Sequence, residues 1–286
     1  MILVTGATGN VGGKVLARLR QSGHKVRALT RDPARAGFAP DLDVVAADLG
    51  RPETLQGVLD GVDKVFLMAL GHNKSTHDAN LVAAATKAGV RHIVQLSTLG
   101  VQEADEANET PLGRWHRLAE EALQRSGLGW TILRPNGFMT HALGWAGSVR
   151  AEGVVRGPAA NLAEANIDPQ DIADVAVRAL TTDGHEGAVH ALTGGEALTT
   201  PQQVEILGSV LGRELRFEQI SLEEHREILA ARFSPETADG VVKALKEAIE
   251  SGDEFRGRTF DGVRQVLGRP PRTFRQWAED NRGFFV

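Results

Sequence analysis

The chain opens on the stretch MILVTGATGNVGGKVLARL, in which a short apolar run leads through three glycines into a helical pattern. Gly6, Gly9 and Gly12 come directly after the apolar residues 2–4. Four apolar residues from Val11 to Leu19 then recur at the spacing of one face of an α-helix. A strand that turns through glycines into a helix is the first half of a βαβ unit, and no other feature of the sequence constrains the fold as strongly.

Strand and helix patterns alternate through the first two-thirds of the chain. After the opening strand at 2–4, we predict strands at residues 25–30, 42–49, 62–70, 91–100, 130–135 and 188–194. Helices are predicted around residues 55–59 and over 77–88, 112–126 and 168–180. Repeated units of this kind align their strands in parallel and cover both faces of the sheet with helices. The predicted fold class is therefore α/β, with a doubly wound Rossmann-type parallel sheet.

The glycine turn has the spacing of a dinucleotide-binding site. Gly6 permits a tight turn, Gly9 lets the backbone approach a pyrophosphate, and Gly12 allows the helix to pack closely on the strand. The N–H groups and the dipole of the helix N-terminus favour the diphosphate. Glycines that serve only the turn are the alternative. The residues predicted to contact the cofactor here are Thr5, Gly6, Thr8, Gly9, Asn10, Val11 and Gly12.

The end of the second strand bears on which dinucleotide binds. NAD enzymes usually carry an acidic residue there for the ribose 2′-OH, whereas this chain has Arg31 directly after Thr30. An arginine can instead bind a 2′-phosphate through a pair of charge-assisted hydrogen bonds. We therefore expect NADP(H) to be preferred, with NAD(H) possible because Asp32 lies beside Arg31. A solvated arginine that opens the next helix is the alternative.

Further cofactor contacts are predicted where later strands end, because ligands of parallel sheets bind at that edge. Asp48, after the third strand, can accept a hydrogen bond from the adenine amino group or cap its own turn. The hydroxyl of Ser97, after the fifth strand, can bind the substrate or the nicotinamide, or cap the strand end. The contacts predicted after the third, fourth and fifth strands are Asp48, Leu49, Ala69, Leu70 and Ser97.

The pattern changes after Pro135, where glycines and short elements replace the next long βαβ unit. From Pro201 the chain is mostly helical in short, closely spaced segments, which predicts a smaller, mostly helical C-terminal lobe rather than another parallel sheet. We expect residues 1–138, completed by about 166–195, to form the NAD(P)-binding Rossmann domain. Residues 139–165 and 196–286 then form the substrate-binding lobe.

Composition excludes several classes of function. The formal net charge is −5, with 32 basic and 37 acidic residues spread along the chain, so no basic face invites nucleic acid or an anionic membrane. There is no cysteine, which excludes disulfides and thiolate metal sites, and the nine histidines lack paired-ligand spacing, so no metal site is expected. The opening apolar run is too short for a signal or membrane segment, and we expect a cytoplasmic protein.

Several segments together resemble the NmrA-like family of atypical short-chain dehydrogenases/reductases, which includes quinone-reductase-like and azoreductase-like members. The matching stretches are MILVTGATGNVGGKV, QLSTLG, GRWHRLAEEALQRSGLGWTILRPNGFM, IDPQDIADVA, ALTGGEALT and GRPPRTF. They occur in order and cover most of the chain. The resemblance implies NAD(P)H-dependent reduction of quinones and related acceptors, or binding of the dinucleotide as a redox signal with little turnover. It also implies that Pro135, Asn136 and Phe138, after the sixth strand, lie against the nicotinamide, although Phe138 could equally be a core residue.

The usual catalytic dyad of short-chain dehydrogenases is absent. Conventional members use a tyrosine and a lysine four residues later on one helix, and this chain contains no tyrosine. Leu112 takes the tyrosine position and His116 the lysine position. His116 shares a helical stripe with Leu112, Ala119 and Leu123, which predicts that it faces the sheet and the cofactor. It could hold the ribose or the nicotinamide amide, deliver a proton to a reduced acceptor, or be a buried structural histidine.

Three functions are compatible with these residues, and the catalytic candidates are His116, Ser97 and Asn136. The first is an NAD(P)H-dependent oxidoreductase that transfers hydride from NADPH to a small conjugated, quinone-like acceptor without the dyad, because the cofactor carries the hydride chemistry. The second is an NADP(H)-sensing regulatory or interaction protein. The third is a redox-neutral lyase or isomerase that holds NADP tightly. The expected partner is a small-molecule acceptor, and the expected state is a monomer or homodimer.

The acidic stretch 103–109 is predicted to form a solvated loop that could act as a lid.

Overall fold

The computed structural model of the protein describes residues 1–103, 110–231, 234–252 and 254–286. Except for the backbone of Glu103, the acidic stretch predicted as a loop lies outside these residues. The chain divides into two compact units, each built from three segments. Unit 1 consists of Met1–Asn136, Pro169–Leu192 and Asp261–Pro270, and unit 2 of Gly137–Asp168, Thr193–Phe260 and Pro271–Val286.

The strands of unit 1 form one parallel sheet. In chain order the strands of the molecule are β1 (Ile2–Val4), β2 (Val26–Thr30), β3 (Asp43–Ala46), β4 (Lys64–Leu67), β5 (His92–Leu96), β6 (Gly129–Pro135), β7 (Val154–Gly157), β8 (Ala163–Glu164), β9 (Ala188–Leu192), β10 (Leu198–Thr199) and β11 (Arg216–Gln219). The sheet has the order β3-β2-β1-β4-β5-β6-β9, and every pairing within it is parallel. This order reverses direction at β1, as in doubly wound dinucleotide-binding folds, and confirms the predicted fold class.

Helices connect these strands and make up most of unit 2. In chain order they are α1 (Gly12–Gln21), α2 (Lys74–Ala88), α3 (Gly100–Glu103), α4 (Pro111–Gln124), α5 (Ala146–Glu152), α6 (Pro169–Thr181), α7 (Thr200–Leu211), α8 (Leu222–Ala230), α9 (Pro235–Ser251), α10 (Gly262–Leu267) and α11 (Phe274–Asp280). Among the described residues, no helix combines the length and the apolarity that a bilayer-spanning segment needs.

The core of unit 1 lies on both faces of its central strands. Val65, Leu67 and Ile93, on β4 and β5, are fully buried, as the continuous apolar run of β4 predicts. The apolar residues of α1 between Val11 and Leu19 are buried against the sheet as well. The sheet is therefore covered on both faces, and ligands can reach it only at its edges and ends.

One predicted helix is wrong. Residues 52–55 form a single 3₁₀ turn, and turns follow it through residue 61. Leu55, Val58 and Leu59 are buried, so the apolar spacing does reflect packing. A continuous helix is prevented because Gly57 has a φ of +75°, outside the right-handed helical region. Helical spacing of apolar residues therefore does not by itself establish a helix here.

Unit 2 has its own core, in which Phe274, Trp277 and Phe285 are buried together. The rings of Phe274 and Trp277 are stacked with centroids 5.3 Å apart. β8 and β10 pair antiparallel, whereas β7 and β11 pair parallel. The parallel pair corrects the expectation that this lobe contains no parallel strands, because β11, joined to α7 by a short turn, lies alongside β7.

Residues 261–270 belong to unit 1 and not to the C-terminal lobe to which the sequence assigned them. Gly262 lies so close to β9 that an added Cβ would be 2.2 Å from the carbonyl oxygen of Ala191. Arg269 forms ion pairs of 2.7 Å with both Asp171 and Asp174 on α6. Asp171 is fully buried, so this carboxylate depends on the arginine.

The ion pair of Arg269 is expected to hold this segment in place. Arg269→Met removes the arginine that pairs with the buried carboxylate of Asp171, and we expect the free energy of unfolding to fall by about 3 kcal/mol. The matched control is Arg264→Met on α10, since Arg264 is exposed and lies 3.9 Å from an exposed Asp261. The control should change stability by less than about 0.5 kcal/mol. Urea denaturation of both variants measures the difference, and equal losses would contradict the role of Arg269.

Candidate functional site

Most of the predicted site residues lie where parallel strands of unit 1 end. The glycine turn follows β1, Arg31 follows β2, and the candidates after β3, β4, β5 and β6 occupy the corresponding positions. Because the carboxyl ends of parallel strands meet at one edge, the sheet brings these residues together. Phe138 differs from the others because it belongs to unit 2.

The glycine turn is shaped by the absence of side chains. Gly6 has a φ of +59°, which favours glycine, and its carbonyl accepts a 2.8 Å hydrogen bond from the Gly9 N–H. An added Cβ on Gly12 would lie 2.2 Å from the Gly6 carbonyl oxygen and 2.8 Å from that of Thr5. The first turn of α1 therefore packs directly against the turn that leaves β1, and only glycine fits at position 12.

The residues of the turn divide into supporting and exposed groups. Thr5 is buried, and its hydroxyl accepts a 2.7 Å hydrogen bond from the Met68 N–H, which ties β1 to the end of β4. Thr8, Gly9 and Asn10 are exposed, directly before α1. No side chain caps α1 at Val11, and its first turn contains no acidic residue. The N-terminus of this helix can therefore bind an anion, and its geometry fits the pyrophosphate of a dinucleotide.

Arg31 and Asp32 have different surroundings. The Asp32 carboxylate accepts a 3.2 Å hydrogen bond from the Arg35 N–H and caps the 3₁₀ turn at 33–35. Arg31 is exposed, and within the described residues it makes no hydrogen bond or ion pair. Of these two neighbours, Arg31 therefore has its charged group available for a ligand.

Of the predicted site residues after β3 and β4, Asp48 makes a turn contact and Leu70 has an exposed apolar side chain. Asp48 Oδ1 accepts a 2.9 Å hydrogen bond from the Gly50 N–H, so the capping role considered from the sequence is present. Leu49 and Ala69 are buried, but Leu70 is 73% exposed at the end of β4. An exposed leucine at this edge of the sheet offers an apolar surface to a flat ring of a ligand.

Ser97, directly after β5, is engaged by a buried ion pair. Its hydroxyl donates a short hydrogen bond to the carboxylate of Glu120 on α4. Arg134 on β6 binds both oxygens of the same carboxylate, at 3.1 and 2.6 Å. Because the hydroxyl proton is committed to Glu120, Ser97 can accept a hydrogen bond from a ligand more readily than it can donate one.

His116 lies on α4, and its imidazole is neutral. Burial and, second, the ammonium of Lys74 lower the pKa of His116 from the usual 6.5 to about 3. Near neutral pH the ring therefore has no imidazolium proton to deliver, and of the roles considered from the sequence only hydrogen bonding and packing remain. Its Nδ1 is buried without a partner among the described residues. Leu112, expected on the same inward stripe, is 52% exposed because it lies in the first turn of α4.

Sequence reasoning missed a second buried charge pair beside His116. The ammonium of Lys74 donates to Asp78 Oδ2 at 2.8 Å and to the Leu96 carbonyl at 3.0 Å. Gln95 on β5 donates to the same Asp78 oxygen at 2.8 Å. The available signal was the i, i+4 spacing of Lys74 and Asp78. It went unused because the apolar pattern placed the start of this helix at residue 77, three residues too late.

The residues after β6 lie in different units. The Pro135 carbonyl accepts a 2.8 Å hydrogen bond from the Leu99 N–H, and the Asn136 N–H donates to the Leu192 carbonyl at 2.9 Å. These bonds fix the backbone at the carboxyl ends of β6 and β9. Phe138 is half-buried in unit 2, where its ring is stacked on His141 with centroids 6.1 Å apart.

Unit 2 contains a cavity of about 500 Å³. Its lining is mostly small and apolar, with Arg258 and Glu254 as its charged residues. The segment that follows β7 and the last residue of β11 border it, so it opens at the carboxyl end of the parallel pair. A cavity of this size is large enough for a small molecule.

Comparison with known proteins places these features in context. A family model described as NAD(P)H-binding matches residues 6–183. The chain is 40% identical over 289 residues to a (4-alkanoyl-5-oxo-2,5-dihydrofuran-3-yl)methyl phosphate reductase of Streptomyces griseus subsp. griseus, covering 100% of this chain and 99% of the relative. It is 35% identical over 290 residues to an NAD(P)H azoreductase of Xenophilus azovorans, covering 100% and 99% of the two chains.

A solved structure matches nearly the whole chain. The crystal structure of an NADPH-dependent quinone oxidoreductase of Escherichia coli, complexed with NADPH, superposes with a TM-score of 0.84. The match covers 99% of this chain and 100% of the other, at 26% sequence identity. The similarity thus extends through both units and is not confined to the glycine turn.

The neutral His116 predicts a dependence of stability on pH. Below about pH 6.5 the unfolded chain binds a proton at this histidine and the folded chain does not, so the free energy of unfolding falls as the pH drops toward 3. One such histidine contributes at most about 1.4 kcal/mol per pH unit. Denaturant unfolding at several pH values should show a shallower slope for His116→Gln than for the exposed control His24→Gln. Identical slopes in the two variants would contradict the buried neutral state.

Proposed function

The chain belongs to the NAD(P)H-binding family of reductases, and from this we propose that it prefers NADPH and passes hydride to a small conjugated acceptor such as a quinone. Family membership confirms the resemblance to NmrA-like atypical short-chain dehydrogenases. The proposal adds the choice of dinucleotide, the class of acceptor and the role of individual residues.

The geometry of the glycine turn carries the proposal. Gly6 in a left-handed conformation, Gly12 in direct contact with the Gly6 carbonyl, and an uncapped α1 leave the backbone open to a diphosphate. We assign the adenine end to Leu70 and Asp48, and a 2′-phosphate to Arg31. When bound, the reduced nicotinamide supplies the hydride.

The names of the relatives support a conjugated acceptor. The dihydrofuranone in the name of the Streptomyces reductase has a ring double bond next to two carbonyl groups, and azo compounds and quinones are also conjugated. Each of these groups can accept hydride and spread the resulting negative charge by resonance. Such an acceptor needs less protonation during the transfer than an isolated carbonyl, which would develop a localised alkoxide.

The residues of this chain fit an acceptor that needs little protonation during hydride transfer. Neither His116 nor Ser97 is a proton donor like the missing tyrosine, because His116 is neutral and the Ser97 hydroxyl donates to Glu120. We propose that His116, Ser97 and Asn136 orient the nicotinamide or the acceptor through hydrogen bonds. Pro135, at the end of β6, would support the ring. The reduced acceptor then takes its proton from water.

Binding of NADP(H) as a signal, with little turnover, is the second candidate. It is favoured by the same lack of a proton donor, which a sensor does not need. Assays with NADPH separate the two functions. Titration of NADPH by fluorescence should show binding, and a panel of quinones should then support oxidation of NADPH. Tight binding with no turnover on any acceptor would overturn the reductase proposal in favour of the sensor.

The preference for NADPH is expected to depend on Arg31. Arg31→Ala should weaken NADPH binding about tenfold, because one charge-assisted pair to the 2′-phosphate is worth roughly 1.4 kcal/mol, and leave NADH binding nearly unchanged. Arg35→Ala is the matched control, since Arg35 is exposed, three residues away from Asp32 and four from Arg31. The dissociation constants of both dinucleotides measure the effect. Equal losses for NADPH and NADH would remove the role proposed for Arg31.

A further inference from the structure

Glu120 is a buried carboxylate that connects an ion pair to the candidate site. It lies on α4 and is 2% exposed, and acidic residues are rarely buried to this degree unless they are paired. Its two oxygens bind Arg134 of β6, at 3.1 and 2.6 Å. The first of these oxygens also accepts a short hydrogen bond from the Ser97 hydroxyl, directly after β5. The ion pair therefore reaches the edge of the sheet at which parallel strands bind their ligands.

The direction of the bond between Ser97 and Glu120 follows from the groups involved. A carboxylate paired with arginine accepts hydrogen bonds and donates none, so the hydroxyl of Ser97 is the donor. A hydroxyl has one proton and two lone pairs, and this proton is taken by Glu120. Among the described residues, no group donates to Ser97 Oγ. The oxygen thus has acceptor capacity left over and no donor capacity.

Arg134 balances the charge of Glu120 without weakening this effect. Its guanidinium holds both carboxylate oxygens, which fixes the carboxylate in one orientation. Glu120 acts on Ser97 through a direct hydrogen bond and not through a long-range field. A hydroxyl that donates to a carboxylate is also polarised, so that its own oxygen becomes a stronger acceptor. The three side chains together therefore present one oriented acceptor atom at the end of β5.

The two molecules of the proposed reaction differ in what they can offer to such an atom. A quinone-like acceptor presents carbonyl oxygens, which accept hydrogen bonds but cannot donate them. The Ser97 oxygen cannot pair with these oxygens, because its proton is already bound to Glu120. The nicotinamide ring carries a carboxamide, and an amide NH2 group is a donor of two hydrogen bonds. Ser97 is therefore matched to the cofactor and not to the acceptor.

We propose that Ser97 Oγ accepts a hydrogen bond from the carboxamide NH2 of the nicotinamide, and that Glu120, held by Arg134, is the positioning residue that keeps the hydroxyl turned for this contact. The inference rests on the proposed function, because it requires NADPH to bind at these strand ends. A hydrogen bond to the carboxamide restricts rotation of the nicotinamide ring. Such orientation of the hydride donor is a contribution that binding residues can make without any proton transfer.

Two dinucleotides that differ only in this group provide the first test. NADPH carries the carboxamide, whereas its reduced 3-acetylpyridine analogue has a methyl ketone there, which keeps the carbonyl and lacks the N–H groups. We expect the unaltered protein to bind NADPH about fivefold more tightly than the analogue, as one neutral hydrogen bond contributes. Ser97→Ala should weaken NADPH to the level of the analogue and leave the analogue unchanged. Titration calorimetry measures the dissociation constants.

The matched control for Ser97→Ala is Thr98→Val, which removes the hydroxyl of the next residue. This variant should keep the fivefold ratio between the two dinucleotides. An unaltered protein that binds NADPH and the analogue equally well would overturn the contact between Ser97 and the carboxamide. So would a Ser97→Ala variant that loses the same affinity for both, or loss of the ratio in Thr98→Val alone.

The role of Glu120 is tested by the same ratio. Glu120→Leu with Arg134→Met replaces the ion pair by an apolar pair and releases the Ser97 hydroxyl, which can then donate to the carbonyl that both dinucleotides carry. We expect the ratio to fall below about twofold. Glu120→Asp serves if the apolar pair does not fold, because it keeps a charge opposite Arg134 but draws the carboxylate back from Ser97. A merely structural role would weaken both dinucleotides alike and leave the ratio unchanged.

The outcomes separate this inference from the proposed function. A fivefold ratio that persists in the Glu120 variants would overturn the positioning role of Glu120. Tight binding of NADPH without preference over the analogue would overturn the carboxamide contact and leave the proposed function standing. If NADPH does not bind to the unaltered protein at all, the proposed function is wrong, and the inference drawn from it is wrong as well.

Discussion

The contact between the start of α1 and the turn after β1 is the constraint on which the rest of unit 1 depends. Gly12 has no room for a Cβ beside the Gly6 carbonyl, so the helix begins as close to the strand as backbone allows. This closeness aims the uncapped helix end at the edge where the other strands finish. The buried Thr5 hydroxyl then ties that edge to β4. The close contact at Gly12 therefore determines both how α1 packs on the sheet and where the binding surface lies.

Two buried ion pairs lie near the same edge of the sheet, each with at least one member on a helix. Lys74 pairs with Asp78, and Arg134 pairs with Glu120. Lys74 also donates to the Leu96 carbonyl at the end of β5, and Glu120 accepts a hydrogen bond from the Ser97 hydroxyl directly after it. The hydroxyl of Ser97 is held by the second pair, and His116 is kept neutral by burial first and by the Lys74 ammonium second. As described, Ser97 and His116 are therefore better suited to hydrogen bonding than to proton donation.

The sequence predicts the local features well and the long-range ones poorly. β1, β2, β6 and α1 follow from apolar periodicity and glycine placement, because those signals act over a few residues. The spacing of Leu55, Val58 and Leu59 suggested a helix, yet Gly57 turns the chain. Glu120 is one of two adjacent acids on α4, and nothing in the local sequence indicates that it is buried beside Arg134. Residues 261–270 belong to unit 1, where Arg269 pairs with Asp174. Nearly a hundred residues of chain separate these two partners, so no local sequence pattern predicts the contact.

The contrast between Arg31 and the buried pairs has a consequence for how the protein responds to its surroundings. Arg31 is exposed, so dissolved ions can screen it, and the Debye length falls from about 10 Å at 0.1 M salt to about 3 Å at 1 M. Lys74 and Glu120 are shielded from those ions. The discrimination between the two dinucleotides that we propose for Arg31 therefore depends on ionic strength as well as on the chain, whereas the neutral state of the buried imidazole depends on the fold.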